Sequence, residues 1–470
     1  MLPTPKNYRV YPSVYPVGKA VTLTVLADEP CFIPEDGTRF TLTIRQVDGD
    51  ENYYQPHLFV KKEAVAKDGA LRVTHVFDAE SEYLLSVEKE GVRAATLSLY
   101  ALDEDLYALR PMKGDLHSHS YRSDGARDPA SLAGHFREQG YDFHALTDHN
   151  RYYPGDEIDT VYAGVDTELL HVPGEEVHAP GSTLHIVHVG GERSVAHRYI
   201  HEREACEAEV LEYLEKVPKD VPDSLRERYG KAMWAIDQIH AAGGLAILAH
   251  PFWRPASSGS INIPIPLMRL LLASGKFDAF EMLGCAGYAA NQQQIALWHE
   301  MCCEGLRIPI VSSSDVHGIE GASTFPFNYT ICFVRERSVE GVKDAIREGR
   351  TTAVCALSAD GARRYECHGS LRLVTYAQFL LRTYFHELAR IAAGEGVLMR
   401  AYAMGEDCKA GIEEMAKNAR AYRERFFGDA EPPMPSKELC VRAAKFRSVQ
   451  RDVGPLTKGS QIDGAENRQL

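Results

Sequence analysis

The chain has 470 residues, 44% of them hydrophobic and 25% charged, which suits a soluble globular protein of two or three domains. Fifty-two Lys and Arg against 66 Asp and Glu leave a formal charge of −14, which argues against a nucleic-acid binder that works by neutralising phosphates. Ten scattered Cys without a C-x-x-C pair argue against a disulfide scaffold and for reduced thiols.

The first residues hold no basic segment leading into an apolar run, and no window approaches the length of a membrane span. A cytoplasmic location is expected. Of the 19 His, 13 lie between His117 and His250, so one region is loaded with imidazoles able to bind metal.

Residues 1–108 alternate with period 2. Val21, Leu23 and Val25 are interleaved with Thr22 and Thr24, and Phe40, Leu42 and Ile44 with Thr41, Thr43 and Arg45. Such spacing puts the apolar set on one face of a half-buried strand. Segments 71–77 and 83–88 continue the pattern, and Glu90-Gly91 turns the chain into 94–100 as a hairpin. A small antiparallel β-sandwich with a structural or substrate-shaping role is expected here.

From 109 to 358 the pattern changes. Apolar runs at 143–146, 185–189, 245–249, 277–283, 308–311 and 329–334 read as buried strands separated by helical stretches. Asp128-Pro129 reads as an N-cap with Pro at the first helical position, and Gly140 closes that helix. Segments 198–217 and 289–304 read as longer helices, and Ser338 and Gly349 bracket a short one. Repeated β–α alternation implies parallel strands with crossover helices, hence an α/β sheet or barrel.

Residues 359–470 read as a C-terminal helical extension with a loosely ordered tail, two or three helices falling at about 370–428. His386-Glu387 invites a metalloprotease reading, but position 390 is Arg where H-E-x-x-H needs His. A surface helix is the better account.

The strongest local signal is Gly114-Asp115-Leu116-His117-Ser118-His119-Ser120. At a strand end, His-x-His places two imidazoles on one side, where neutral rings can share a metal ion. Ser123-Asp124-Gly125 follows in a turn context, then Thr147-Asp148-His149-Asn150, Gly174-Glu175-Glu176, Leu184-His185-Ile186-Val187-His188, Ala249-His250-Pro251 and Ser314-Asp315-Val316-His317. The carboxyl ends of parallel strands face one side, where sites assemble. Burying so many imidazoles and carboxylates unpaired would cost roughly 1–3 kcal/mol each. A metal cluster is therefore expected.

In this order, D-x-H-x-H, S-D-G, T-D-H-N, G-x-E, a strand His, A-H-P and S-D-x-H resemble the PHP family, named for polymerase and histidinol phosphatase domains, over roughly 113–320. The resemblance implies a distorted seven-stranded β/α barrel with two or three divalent ions at its carboxyl face, and a mixed nitrogen and oxygen ligand set suits Zn, Mn or Fe rather than Mg alone. Carried over by position, His117, His119, Glu176 and Asp315 would hold the first ion. Glu176 would bridge to a second, completed by His185 and His250, and Asp124, His149 and His317 would hold a third.

Glu175 could replace Glu176, although the G-x-E spacing favours Glu176. His188 could likewise compete with His185. Asp115 and Asp148 are expected to hold imidazole tautomers, with His178 as a further supporting group. His135, His197, His201, His240 and His299 fall in helices, and His144 in the barrel core.

The mechanism implied is attack on a phosphoryl or carbonyl centre by a hydroxide that bridges two ions. Arg254, or Arg122 beside Asp124, would steady a phosphate, so Glu176, Asp315 and Arg254 are the expected catalytic groups. The implied activity is a phosphoesterase on a small phosphorylated substrate. The N-terminal β-domain before K-G-D-L-H-S-H-S looks like the carbaryl-hydrolase-like branch, so a carbamate or ester hydrolase stands as the alternative. An apolar pocket of Phe252, Trp253, Tyr152 and Tyr153 would favour that alternative, whereas a non-catalytic PHP module sits poorly with a complete ligand set. A small-molecule substrate is expected, with no nucleic-acid or membrane partner, and a homo-oligomer is left open.

Overall fold

Period-2 segments of the N-terminal region fold as eight strands in a computed structural model, which describes residues 7–48, 59–255, 259–284, 287–322, 324–359 and 362–452. These strands are β1 (Tyr8–Tyr11), β2 (Val14–Pro16), β3 (Ala20–Ala27), β4 (Arg39–Gln46), β5 (Val60–Val65), β6 (Ala70–Val76), β7 (Ser81–Lys89) and β8 (Val92–Leu102). They form two sheets, β1-β3-β6 and β2-β8-β7-β4-β5. The alternation decides the core: Leu23, Val25, Phe40, Leu42, Ile44 and Leu85 are all buried in one cluster. Glu90 and Gly91, both at positive φ (52° and 76°), join β7 to β8 with Lys89 opposite Val92, as a tight hairpin of mirror-image turn type requires. β2 departs from the antiparallel expectation by running parallel to β8.

The chain divides into two compact units, Met1–Glu104 with Glu424–Leu470, and Asp105–Arg423. In the second unit the elements are α1 (Glu104–Tyr107), β9 (Arg110–Asp115), α2 (Pro129–Glu138), β10 (Phe143–Leu146), α3 (Gly155–Val161), β11 (Leu170–His178), β12 (His185–Val189), α4 (Val195–His201), α5 (Arg203–Glu215), α6 (Asp223–Ala241), β13 (Leu245–Leu248), α7 (Ile265–Ala273), β14 (Ala279–Leu283), α8 (Tyr288–Cys303), β15 (Ile310–Ser312), β16 (Asn328–Val334), α9 (Val339–Arg347), β17 (Thr351–Ala359), β18 (Ala362–His368), α10 (Leu371–Ala403) and α11 (Lys409–Phe427). The final helix, α12, spans Lys437–Asp452. The expected loose tail lies, from 453 onward, outside the described residues.

The second unit is built on one sheet ordered β15-β14-β13-β12-β11-β10-β9-β16-β17-β18. β9, β10 and β11 run parallel, as do β13, β14 and β15. The ends of this arc are drawn together beyond β9 and β15, where Ser118 bridges to Val316 and Asp315 N donates to His117 O at 3.0 Å. Met112, Phe143, Val172, Val187, Ile247 and Val311 fill one cluster among the strands. A larger cluster, including Trp234, Ile236 and Leu271, packs helices on their outer side.

Within β9–β15 the β–α repeat is interrupted once, and beyond it β16, β17 and β18 are all antiparallel to their neighbours. Six residues join β11 to β12, too few for a parallel crossover, and β12 runs antiparallel to both neighbours. This reversal puts His185, the first residue of β12, at the same end as the last residues of β11, with His178 directly opposite.

Three other segments differ from the sequence reading. The helix expected over 198–217 is two, α4 and α5, broken at Glu202, whose φ of −117° and ψ of 38° lie outside the helical range. Helix α6 was not anticipated, although Leu225, Tyr229, Met233, Ile236 and Ile239 mark a buried stripe at helical spacing.

The expected boundary at 358/359 falls inside the β17–β18 hairpin, so the residues after it continue the second unit to 423. α10 is held against α2 by the fully buried Arg137–Glu395 pair at 2.7 Å, where a Cβ on Gly396 would collide with the backbone of Glu138. The caps are as expected: Asp128 accepts from Ala130 N and Ser131 N, and Ser338 accepts from Gly341 N. No helix among the described residues is long and apolar enough to cross a membrane.

Candidate metal centre

Most of the polar residues stand just beyond the ends of strands that are largely apolar and buried. β9 runs into His117 and His119, β10 into His149, β13 into His250, and β15 into Asp315 and His317. Glu176 sits within β11, opposite Val187 of β12. Asp124 lies in a turn closed by Gly125 N donating to Ser120 O at 2.8 Å. Only glycine fits after it, since a Cβ at 125 would overlap the His119 carbonyl. His250 (φ 22°) and Asp315 (φ 50°) hold backbone conformations that L-residues avoid, a strain of about 1–3 kcal/mol each that the surrounding structure must offset.

Five imidazoles converge on Glu176, which is fully buried. Its Oε2 lies 3.4 Å from His117 Nε2, 3.4 Å from His119 Nε2 and 2.8 Å from His149 Nδ1. Its Oε1 lies 2.8 Å from His185 Nδ1 and 3.1 Å from His250 Nε2. Asp315 Oδ1 is 3.3 Å from His117 Nε2 and 3.2 Å from His119 Nε2. On the more exposed side, Asp124 approaches His317 Nε2 at 3.3 Å and His149 Nε2 at 3.5 Å.

By proximity the donors fall into four overlapping groups: His117, His119 and Asp315; His117, Glu176 and His250; His119, Asp124, His149 and His317; and His149, Glu176, His178 and His185. Every ligand position named from the sequence falls in one of these groups, together with His178. These groups cut across the division the resemblance implies, since His185 is gathered with His149 and His178 and His250 with His117, yet both His185 Nδ1 and His250 Nε2 stand at Glu176 Oε1 as that division requires.

Glu175 points away from the centre. Its carboxylate accepts from Val195 N at 2.6 Å and Ser194 Oγ at 2.7 Å, fastening the start of α4, and lies 3.2 Å from His188 Nδ1. Period 2 thus separates Glu176 with His185 from Glu175 with His188, onto opposite faces of the sheet.

The expected role of Asp115 and Asp148 needs correction. Asp115 accepts from the backbone N–H groups of His117 and Ser314, and Asp148 from Ser120 N, Ser120 Oγ and Ser123 Oγ. Both lash loops together and neither holds an imidazole. That work falls to Glu281, which the sequence reading missed. Its Oε1 lies 3.1 Å from His117 Nδ1 and its Oε2 accepts from His250 N at 2.7 Å. The available signal was a carboxylate inside the apolar run Ala279-Phe280-Glu281-Met282-Leu283, where a lone buried charge needs a partner.

Burial opposes charge on His117, yet the carboxylates of Asp315, Glu176 and Glu281 hold its imidazole well above the ordinary value. Burial likewise opposes charge on Glu176 and Asp315, but the surrounding imidazoles hold both carboxyls below their usual range. Even so, His117 Nε2, His119 Nε2, His185 Nδ1, Glu176 Oε2 and Asp315 Oδ1 are buried close to one another without the alignment of a hydrogen bond. Each such atom costs about 1–3 kcal/mol unless something binds it.

Donors on a tetrahedral ion at ~2.0–2.1 Å are about 3.4 Å apart, which matches the 3.2–3.4 Å separations of His117 and His119 from Glu176 and Asp315. A mixed nitrogen and oxygen set of this kind suits Zn, Mn or Fe better than Mg. The residues fit divalent ions.

Of the basic candidates, Arg254 is exposed four residues beyond His250, whereas Arg122 is engaged by Glu157 at 2.6 and 3.0 Å. Of the aromatics, only Trp253 borders the centre, 5.6 Å from the rings of both His185 and His250. Phe252 is core, and the Tyr152 hydroxyl donates to Gly191 O. His144 is buried against Phe136, ring centroids 4.1 Å apart, and His386 is exposed on α10.

No family model matches the chain. Among curated proteins it is similar to a 5'-3' exoribonuclease of Haemophilus influenzae, 26% identical over 238 residues that cover 40% of this chain and 84% of that protein. Among solved structures it is similar to a two-domain protein of Bacteroides vulgatus containing a predicted PHP-like metal-dependent phosphoesterase, with 18% identity, coverage of 56% of this chain and 76% of that one, and a TM-score of 0.36. It is also similar to a candidate metal-dependent phosphoesterase of Bifidobacterium adolescentis, with 16% identity, 44% and 87% coverage, and a TM-score of 0.31.

Proposed function

We propose that this chain is a metal-dependent hydrolase of PHP type that cleaves a phosphoester bond in a small phosphorylated substrate. The observation that carries this reading is the buried Glu176 carboxylate, approached by five imidazoles, with unpartnered nitrogens and oxygens spaced as donors to a divalent ion. His117, His119, Glu176 and Asp315 would hold one ion. Glu176 would share a second with His185 and His250, and Asp124, His149 and His317 would hold a third. Bound ions would supply a nucleophile from water near neutral pH and would offset charge on the phosphoryl oxygens.

The chain's own residues do the rest. Glu281 keeps the proton of His117 on Nδ1, so that Nε2 presents a lone pair. Glu176 turns Oε1 to His185 and His250 and Oε2 to His117, His119 and His149, so its carboxylate could serve more than one ion. The left-handed backbone at His250 and Asp315 aims both side chains at the centre. Arg254, on the segment leaving His250, offers an exposed guanidinium to a substrate phosphate. The Haemophilus relative's description as a 5'-3' exoribonuclease supports phosphoester chemistry and adds a 5′-phosphorylated oligoribonucleotide to the substrates worth assaying. Trp253 beside His185 and His250 favours a second reading, a carbamate or ester hydrolase with an apolar leaving group.

The test is to load purified protein with Zn, Mn or Fe, measure bound metal, and assay p-nitrophenyl phosphate, short 5′-phosphorylated oligoribonucleotides, p-nitrophenyl acetate and naphthyl carbamates. Phosphoester turnover that is lost with bound metal in His117→Ala is expected. Turnover of the acetate or carbamates alone would transfer the assignment to the second reading. Full metal content and full activity in His117→Ala would overturn the site.

A further inference from the structure

His178 lies outside the ligand pattern carried over from the family, yet it stands within the centre. It ends β11 directly opposite His185, and the two rings stack with centroids 4.2 Å apart and 7° between planes. Its Nε2 is 2.9 Å from His149 Nδ1. It belongs with His149, Glu176 and His185 to a set whose donor atoms all lie within 4.8 Å of one another.

The difficulty is His149. Its Nδ1 faces this set, 2.8 Å from Glu176 Oε2, while its Nε2 faces Asp124 at 3.5 Å, in the set that also contains His119 and His317. A neutral imidazole has one lone-pair nitrogen and cannot serve both ions. If His149 serves the ion beside Asp124 and His317, the ion beside Glu176, His185 and His250 keeps a position open for a fourth donor. We propose that His178 supplies it, as an additional protein ligand to the ion held by Glu176 and His185.

A further observation agrees with this. Asn150 Oδ1 accepts from the His178 backbone N–H at 3.0 Å, fixing the end of β11 where the side chain departs. The consequence is selectivity, because an added imidazole tilts this position toward Zn, Fe or Co and away from Mg.

The inference rests on the metal reading above, and the experiment separates the two. Wild type, His178→Ala and His178→Phe (which keeps a ring against His185 but no donor) are stripped of metal and titrated with Co²⁺ and Zn²⁺. Bound equivalents after desalting, chelator-competition affinities and the visible Co²⁺ spectrum are measured, with circular dichroism as the check on folding. One ion bound about tenfold or more weakly in both variants, with an altered Co²⁺ spectrum and the other ions retained, is expected. Wild-type stoichiometry, affinity and spectrum in either folded variant would overturn the role of His178 while leaving the metal reading intact. A wild-type chain that takes up no ion would overturn the metal reading, and this inference with it.

Discussion

Replacing Glu281 with Gln changes one oxygen to an amide nitrogen and preserves the shape. The wild-type carboxylate accepts two hydrogen bonds, from His117 Nδ1 at 3.1 Å and from His250 N at 2.7 Å, and an amide offers one acceptor and one donor group. With its oxygen toward His250 N, its NH₂ meets His117 Nδ1, which must then become the acceptor. The proton moves to Nε2, and the lone pair aimed toward Glu176 and Asp315 is lost.

Turned the other way, the NH₂ faces the His250 N–H and leaves a buried backbone donor unpaired, a cost of about 1–3 kcal/mol. Either orientation loosens the centre, and metal affinity is expected to fall about 10–100-fold. The assay is chelator competition for Zn²⁺ together with chemical denaturation, followed by activity at rising metal concentration. Activity that recovers with excess metal identifies lost affinity, whereas a deficit that persists identifies lost geometry. Glu281→Gln with wild-type metal affinity and wild-type stability would refute the reasoning.

Other expectations follow from the same geometry. Glu176→Gln removes the shared carboxylate and is expected to lower activity about a hundredfold or more and to reduce bound metal; unchanged metal content by mass spectrometry would contradict its central position. Arg137→Met leaves Glu395 buried without its partner and should destabilise the protein by about 3–5 kcal/mol, with activity per folded molecule retained; a denaturation midpoint equal to wild type would count against the packing of α10 on α2.

Burial, with His171 nearby, holds His144 well below its usual range. An unfolded chain therefore takes up a proton near pH 6.5 that the folded one refuses. Stability falls as pH drops below this point, by up to about 1.4 kcal/mol per pH unit for this residue. A His144→Phe variant with an equally steep slope of denaturation free energy between pH 6.5 and 5 would exclude it as the source.

Much of the centre is legible in the chain because its grammar is local. An apolar run followed at once by His, Asp or Glu states both a buried strand and the polar residue at its end, and the order of those runs carries the resemblance. The G-x-E spacing was enough to prefer Glu176 to Glu175, whereas the pairing of β11 with β12 is what sets Glu176 and His185 on one face and Glu175 and His188 on the other. Local reading fails where a residue's partner is distant in sequence. Glu281 touches His117 from 164 positions away, and Asp115 and Asp148 turned out to serve backbone and hydroxyl groups that no local motif identifies. The boundary at 358/359 was misjudged for the same reason, since α10 belongs with α2 through a side-chain pair, Arg137 and Glu395, 258 residues apart.

The amino-acid sequence by itself determined which side chains could ligate and on which strand ends they stand, because the alternation of apolar and polar residues fixes the faces they share. Only the tertiary structure decided how those ends meet. The reversal of β12 delivers His185 from a strand's beginning, the contact beyond β9 and β15 brings Asp315 beside His117 and His119, and β14 supplies Glu281 to hold the His117 imidazole and the His250 backbone. Each of these depends on packing between segments far apart in the chain, where the free energy comes from removing apolar surface and pairing buried polar groups across distances that no local pattern encodes.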